Sequence, residues 1–235
     1  MRGLRRVRGL RQVPVLRHPC ADLLIVQLLG IVIYPFLGDQ PLGRALFSIF
    51  ALLVLAIAVF AVRMTPALSW ISAGLGLPVV VLTVWEAVSP GVESVVLWSS
   101  VFHAAFYFYT AYALLRYMFD DHVVTTDELY ATGATFTVVA WGFAYVYLAI
   151  EVVLPESFTV IDDPLEASAW FEMLYLSVTT MTSLGLSDII PVRPHARAFV
   201  MLEQIAGMLY LALAVARIMA LTVARTASRD ERRTK

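Results

Sequence analysis

The chain reads as an all-α membrane protein of six transmembrane helices, with a re-entrant helix and a polar loop between helices five and six. Three observations predict this. Of its 235 residues, 60% are hydrophobic and only 15% charged, with a mean hydropathy of +0.79, a balance soluble domains seldom reach. Long apolar stretches recur, divided by turn-forming breakers. Between the last two lies Ser177-Val178-Thr179-Thr180-Met181-Thr182-Ser183-Leu184-Gly185-Leu186-Ser187-Asp188, which crowds six hydroxyls and a carboxylate into an otherwise apolar region. Polar or irregular backbone at membrane depth survives only where protein encloses it or where it lines a watery path. The segment therefore reads as the lining of a pore.

A spanning helix needs roughly 20 mostly apolar residues. Six stretches qualify, at about 22–37, 45–62, 67–87, 94–115, 129–153 and 196–217. Their separators carry breakers such as Gly38-Asp39-Gln40-Pro41, Thr65-Pro66 and Ser89-Pro90-Gly91. Orientation follows from the basic residues. Arg2, Arg5, Arg6, Arg8, Arg11 and Arg17 precede the first span, and Arg225, Arg229, Arg232, Arg233 and Lys235 follow the last. An even number of spans puts both termini on one side, and the positive side is cytoplasmic. Arg63, Arg116 and Arg217 fall there too, leaving only Arg44, Arg193 and Arg197 outside. The first span continues as Gly30-Ile31-Val32-Ile33-Tyr34 without a small-residue cleavage site, so it reads as retained rather than as a signal peptide. The basic leader is a topology determinant that also suits anionic lipid headgroups.

After span five comes an acidic outer segment with Glu156, Asp162, Asp163 and Glu166. The stretch 168–181 follows, roughly 21 Å of helix at 1.5 Å per residue. That is too short to cross a bilayer, so a helix that enters and stops is expected. Its C-terminal end carries a partial negative charge that favours a cation beyond it. Pro191-Val192-Arg193-Pro194 then turns the chain toward span six.

This order of helix, re-entrant helix, Thr-rich strand ending in Asp, and helix resembles the potassium-channel pore domain of bacterial two-transmembrane-type ion channels. That family's filter is written T-T-V-G-Y-G-D; here Thr182-Ser183-Leu184-Gly185-Leu186-Ser187-Asp188 stands in its place. Upstream, Tyr175-Leu176-Ser177-Val178-Thr179-Thr180 is similar to the family's pore helix. Downstream, Ile189-Ile190-Pro191, Ala196-Arg197 and Leu202-Glu203-Gln204-Ile205-Ala206-Gly207-Met208-Leu209-Tyr210 resemble its inner helix. The likeness covers about 125–220 and implies a selectivity-filter loop, a homotetramer and passive conduction of potassium or another monovalent cation. It implies no enzymatic chemistry, no cofactor beyond permeant ions, and no nucleic-acid partner; membrane lipids are the remaining partner.

The resemblance implies that the carbonyls of Ser183, Leu184, Gly185 and Leu186 line the path and that the Ser183 hydroxyl forms the innermost ring. Asp188 would ring the outer mouth, with Tyr175 hydrogen-bonded to it. Three departures bear on selectivity: Leu186 for the family's Tyr, Ser183 for Thr, and Ser187 for the second Gly. Glycine serves left-handed backbone positions cheaply. A Ser there costs roughly 1 kcal/mol or more, or the backbone takes another shape. The expected function is a potassium-selective channel of the bacterial inner (plasma) membrane; the alternatives are a sodium-permeable or non-selective channel, or a non-conducting membrane subunit.

The remaining residues divide the chain into a basic cytoplasmic N-terminus at 1–21, a four-helix membrane unit at 22–118, a pore domain at 119–226 and a cytoplasmic tail at 227–235. A voltage sensor needs several basic residues at three-residue spacing in the fourth span, and that span has none before Arg116. No soluble ligand-binding domain is expected, and Cys20 stands alone, so no disulfide or metal cluster is expected. A retinal protein needs an intramembrane lysine, yet the only lysine is Lys235. His103, amid aromatics, reads as a packing histidine or a proton sensor. The aromatics Phe106 to Tyr109 and Tyr112 read as interhelical packing or a ligand or lipid site. Glu203 reads as a structural carboxylate behind the filter, hydrogen-bonded to hydroxyls such as Thr179, or as a proton-linked gate. Gly207 is a hinge or a close-packing position, and Ile218, Met219 and Leu221 are candidates for a hydrophobic gate.

Overall fold

The computed structural model describes residues 19–37, 41–63, 69–89, 91–119, 126–159 and 167–233. The arginines from Arg2 to Arg17, the acidic residues Asp162, Asp163 and Glu166, and Lys235 lie outside the described residues. Among these residues seven helices follow in order: α1 (Pro19–Leu37), α2 (Pro41–Arg63), α3 (Ser69–Val88), α4 (Glu93–Met118), α5 (Thr126–Val153), α6 (Ala167–Met181) and α7 (Pro194–Arg233). No strand is present among the described residues; a single antiparallel bridge joins Phe158 to Pro191.

Local chemistry explains the ends. Pro19, Pro41 and Pro194 open their helices, where a missing N–H costs nothing and the fixed φ is already helical. Gly91, at φ +83°, turns the chain between α3 and α4, a conformation cheap only for glycine. Glu93 then sits in the first turn of α4, at the positive end of its dipole.

Among the described residues, four helices are long and apolar enough to cross a membrane: Pro19–Phe36, Trp70–Val88, Leu129–Val153 and Pro194–Met219. The second expected span appears in α2 as a shorter apolar helix, Ile49–Ala61, and the fourth as α4, whose mixture of aromatic and polar residues lowers its hydropathy. The sixth expected span, 196–217, is part of a longer helix. At 1.5 Å per residue α7 extends for roughly 60 Å, and no proline interrupts 195–233.

Helix α5 is the hub, packing against α1, α4, α6 and α7. Its small residues Ala131, Ala134, Ala140 and Ala144 are fully buried or nearly so and permit the close approach on which helix association in lipid depends. Aromatic rings join α1 directly, and α4 through α5, to α6. Tyr107 meets Trp141 edge-on at 5.8 Å, and Trp141 meets Trp170 edge-on at 5.1 Å. Tyr34 stacks on Phe171 at 4.4 Å. Phe106 and Tyr107 are buried as packing residues, while Tyr112 is exposed.

Candidate functional site

The short helix lies where it was expected, at Ala167–Met181. Its C-terminus is closed by the chain that follows. Ser183 N–H donates to the Thr180 carbonyl at 2.9 Å and Leu184 N–H to the Thr179 carbonyl at 3.1 Å. Ser183 itself is left-handed, with φ +58°. This is the Schellman pattern, normally built on glycine. Thr182 adds its hydroxyl, 2.8 Å from the Val178 carbonyl and 3.2 Å from that of Thr179. Gly185 N–H also reaches the Thr179 carbonyl, at 3.3 Å. The N–H groups of Ser183, Leu184 and Gly185 thus anchor the strand to the carbonyls that end α6.

The strained residue differs from the expected one. The left-handed positions between Thr182 and Asp188 are Ser183 and Gly185, at φ +58° and +64°; Ser187 is not among them. Of the two outcomes open at Ser187, the backbone has taken another shape. Its hydroxyl accepts the Ile189 N–H at 3.1 Å, a local bond that favours a turn over extended backbone.

Tyr175 braces the strand, but not through Asp188 as expected. Its hydroxyl donates to the Leu186 carbonyl at 2.5 Å. The hydroxyl lost by having leucine at 186 therefore returns from α6, aimed at the backbone of the same residue. Asp188 is exposed, and its carbonyl accepts the Thr159 hydroxyl at 3.1 Å. Leu184 and Leu186 are 66% and 72% exposed, so the strand presents an open face on the single chain.

Behind α6 the packing is closed. Glu203 on α7 is fully buried and accepts hydrogen bonds from the Ser177 hydroxyl and the Tyr147 hydroxyl. Ser177 Oγ also lies 2.8 Å from the Ala140 carbonyl. One carboxylate thus ties α5, α6 and α7 together. Its partner on α6 is Ser177, two residues before the expected Thr179, whose hydroxyl turns instead to the Leu176 carbonyl at 2.9 Å. Gly207 lies where α7 meets the end of α6. A Cβ there would collide with the Met181 carbonyl and stand 2.9 Å from Met181 Cγ, so this is a close-packing position. Ile218 and Met219 are 40% and 63% exposed near the far end of α7, beside Arg217, whose guanidinium lies 5.0 Å from the Phe119 ring centre.

Glu151 is a residue the sequence reading passed over. It is buried and accepts the backbone N–H groups of Glu156, Ser157 and Phe158 at 2.7, 3.0 and 3.0 Å. Its signal was a lone carboxylate inside Ala149-Ile150-Glu151-Val152-Val153, just ahead of the Pro155 turn.

Residues 133–224 match the family model described as ion channel. The matched stretch runs from α5 through α6 and the polar strand into α7, and so contains every hydrogen bond described above at the strand and behind α6. No curated protein and no solved structure matches the chain.

Proposed function

We propose that the protein is a potassium-selective channel in which four copies surround a path lined by 182–188. The reading divides the chain as the sequence suggested, into a four-helix unit at 22–118 and a pore domain at 119–226, with both termini cytoplasmic in the inner membrane. The observation that carries it is the pairing of a strand braced on one side with an open face on the other, inside the stretch that matches the ion-channel family. Ion selectivity needs carbonyl oxygens held in number and position while hydration water is removed. In this reading the carbonyls of Ser183, Leu184 and Gly185 coordinate the ion, and Leu186 uses the lone pair left free by Tyr175. Thr182 anchors the inner end, and Asp188 adds negative charge at the mouth.

Tetramer assembly is supported by α7. Met201, Ile205, Met208 and Val215, at helical spacing along one side, are between 56% and 65% exposed. Neighbouring copies of α7 would cover this apolar stripe around a central axis, with Ile218 and Met219 at its cytoplasmic end as the gate. A sodium-permeable pore is the second reading, favoured by the backbone at Ser187, which departs from the alternation a potassium filter repeats along its length.

Purified protein in liposomes loaded with potassium tests the proposal. Potassium efflux that depends on protein and dissipates when a potassium ionophore is added first supports a channel. Tetramers that carry no flux would return the chain to a structural role.

A further inference from the structure

The outer end of the polar strand is held by a segment outside α6 and α7. Glu151 closes α5, and the next residues curl around its carboxylate. Three successive backbone N–H groups, of Glu156, Ser157 and Phe158, converge on its two oxygens. Glu156 is left-handed, at φ +63°. Successive N–H groups in this alternating conformation form a concave anion site, and here the chain's own carboxylate fills it. That occupation holds a non-glycine residue in a conformation it seldom adopts.

The loop so shaped meets the strand. The Ser157 carbonyl accepts the Val192 N–H at 2.8 Å, and Thr159 N–H donates to the Ile190 carbonyl at 3.0 Å. The Thr159 hydroxyl uses both its capacities: it accepts the Ile190 N–H at 2.7 Å and donates to the Asp188 carbonyl at 3.1 Å. Phe158, buried between, lies 5.3 Å from the ring of Tyr147, the residue that holds Glu203.

We propose that Thr159 is a positioning residue for the ion path, fixing the backbone of Asp188 from a loop whose shape Glu151 sets. Tyr175 holds the strand at Leu186 from α6, and Thr159 holds it two residues further along, from the loop after α5. Asp188 and the last carbonyls then have one position relative to the axis, although Ser187 lacks the backbone of a filter glycine. The conduction part of this inference rests on the channel reading; the clamp itself does not.

The test uses the full chain in lipid nanodiscs and planar bilayers, with Thr159→Val, Thr159→Ser and Glu151→Gln. Backbone hydrogen exchange is followed in 154–159 and 186–193, together with the potassium-to-sodium permeability ratio. Thr159→Val should raise exchange in 186–193 about tenfold by removing both side-chain bonds and lower the permeability ratio severalfold. Thr159→Ser should restore both. Glu151→Gln should raise exchange in both segments. Unchanged exchange in 186–193 with Thr159→Val, or raised exchange with an unchanged permeability ratio, overturns the positioning role. Failure of Thr159→Ser to rescue does the same, and a Glu151→Gln effect confined to 154–159 removes Glu151 from it. A wild-type protein without current overturns the channel reading, and the exchange rates alone then decide the clamp.

Discussion

In α3 and α4, Thr83, Thr110 and His103 turn back on their own helices, whereas around α6 Ser177, Tyr147 and Tyr175 reach across to other segments. Thr83 donates to the Val79 carbonyl at 2.8 Å, Thr110 to that of Phe106 at 2.9 Å, and His103 Nδ1 to that of Ser99 at 2.8 Å. One contact between these two helices, Thr83 Oγ1 to His103 Nε2, is stretched to 3.5 Å. Near α6, Ser177 and Tyr147 meet Glu203, Tyr175 meets Leu186, Thr159 meets Asp188, and Tyr210 donates to the Thr132 carbonyl. A hydroxyl bonded to its own helix satisfies its desolvation without choosing a neighbour. A hydroxyl bonded across 26 residues, as Ser177 is to Glu203, fixes one backbone against another. The first arrangement suits a packed scaffold, and the second suits a segment whose carbonyls must stay in place.

Substitutions break or sharpen this contrast to different degrees. The largest effect is expected for Glu203→Leu, which strands the Tyr147 hydroxyl in the protein interior, leaves Ser177 only the Ala140 carbonyl, and should cost about 3 kcal/mol. Thermal unfolding of the detergent-solubilised protein measures it, and a loss no greater than that of a substitution in α4 would erase the contrast. Gly207→Ala comes next. Its new methyl meets the Met181 backbone, which cannot swing aside, and overpacking of this kind costs about 2 kcal/mol. Its signature is a lowered unfolding temperature together with reduced ion flux.

Ser183→Gly should stabilise by about 1 kcal/mol, because glycine takes the left-handed cap position without strain. Ser183→Ala separates backbone from hydroxyl: it keeps the strain, so any gain it showed would contradict a conformational origin. The smallest effect belongs to His103→Leu, expected to change stability by less than about 1 kcal/mol since its shortest bond is to its own helix and its volume is retained. Its permeability ratio should match the wild type, and a change there would mean that α4 participates in selectivity.

These contrasts also mark how far the sequence could be read. Helices announced themselves through apolar length and breakers, which is why α6 lies within one residue of the stretch expected to form it. Glu203 stood out because a carboxylate at that depth demands partners, yet its partner is Ser177: the choice between Ser177 and Thr179 depends on how α6 is rotated about its axis, which spacing alone does not determine. Tyr175 was expected at the Asp188 side chain and binds the Leu186 carbonyl, a backbone acceptor that every residue type provides equally. Ser183 and Ser187 are chemically alike, and only the geometry of the helix end decides which one becomes left-handed. Glu151 escaped notice for a related reason, since all three of its observed partners are backbone N–H groups and leave no pattern in the side chains.

The central claim is that the braced strand 182–188 forms a potassium-selective path. The reversal potential of the purified protein in a planar bilayer, with potassium on one side and sodium on the other, tests it most directly. The account predicts a large displacement toward the potassium equilibrium potential. A reversal near zero, with large organic cations still excluded, would contradict it and make this a cation pore without potassium selectivity.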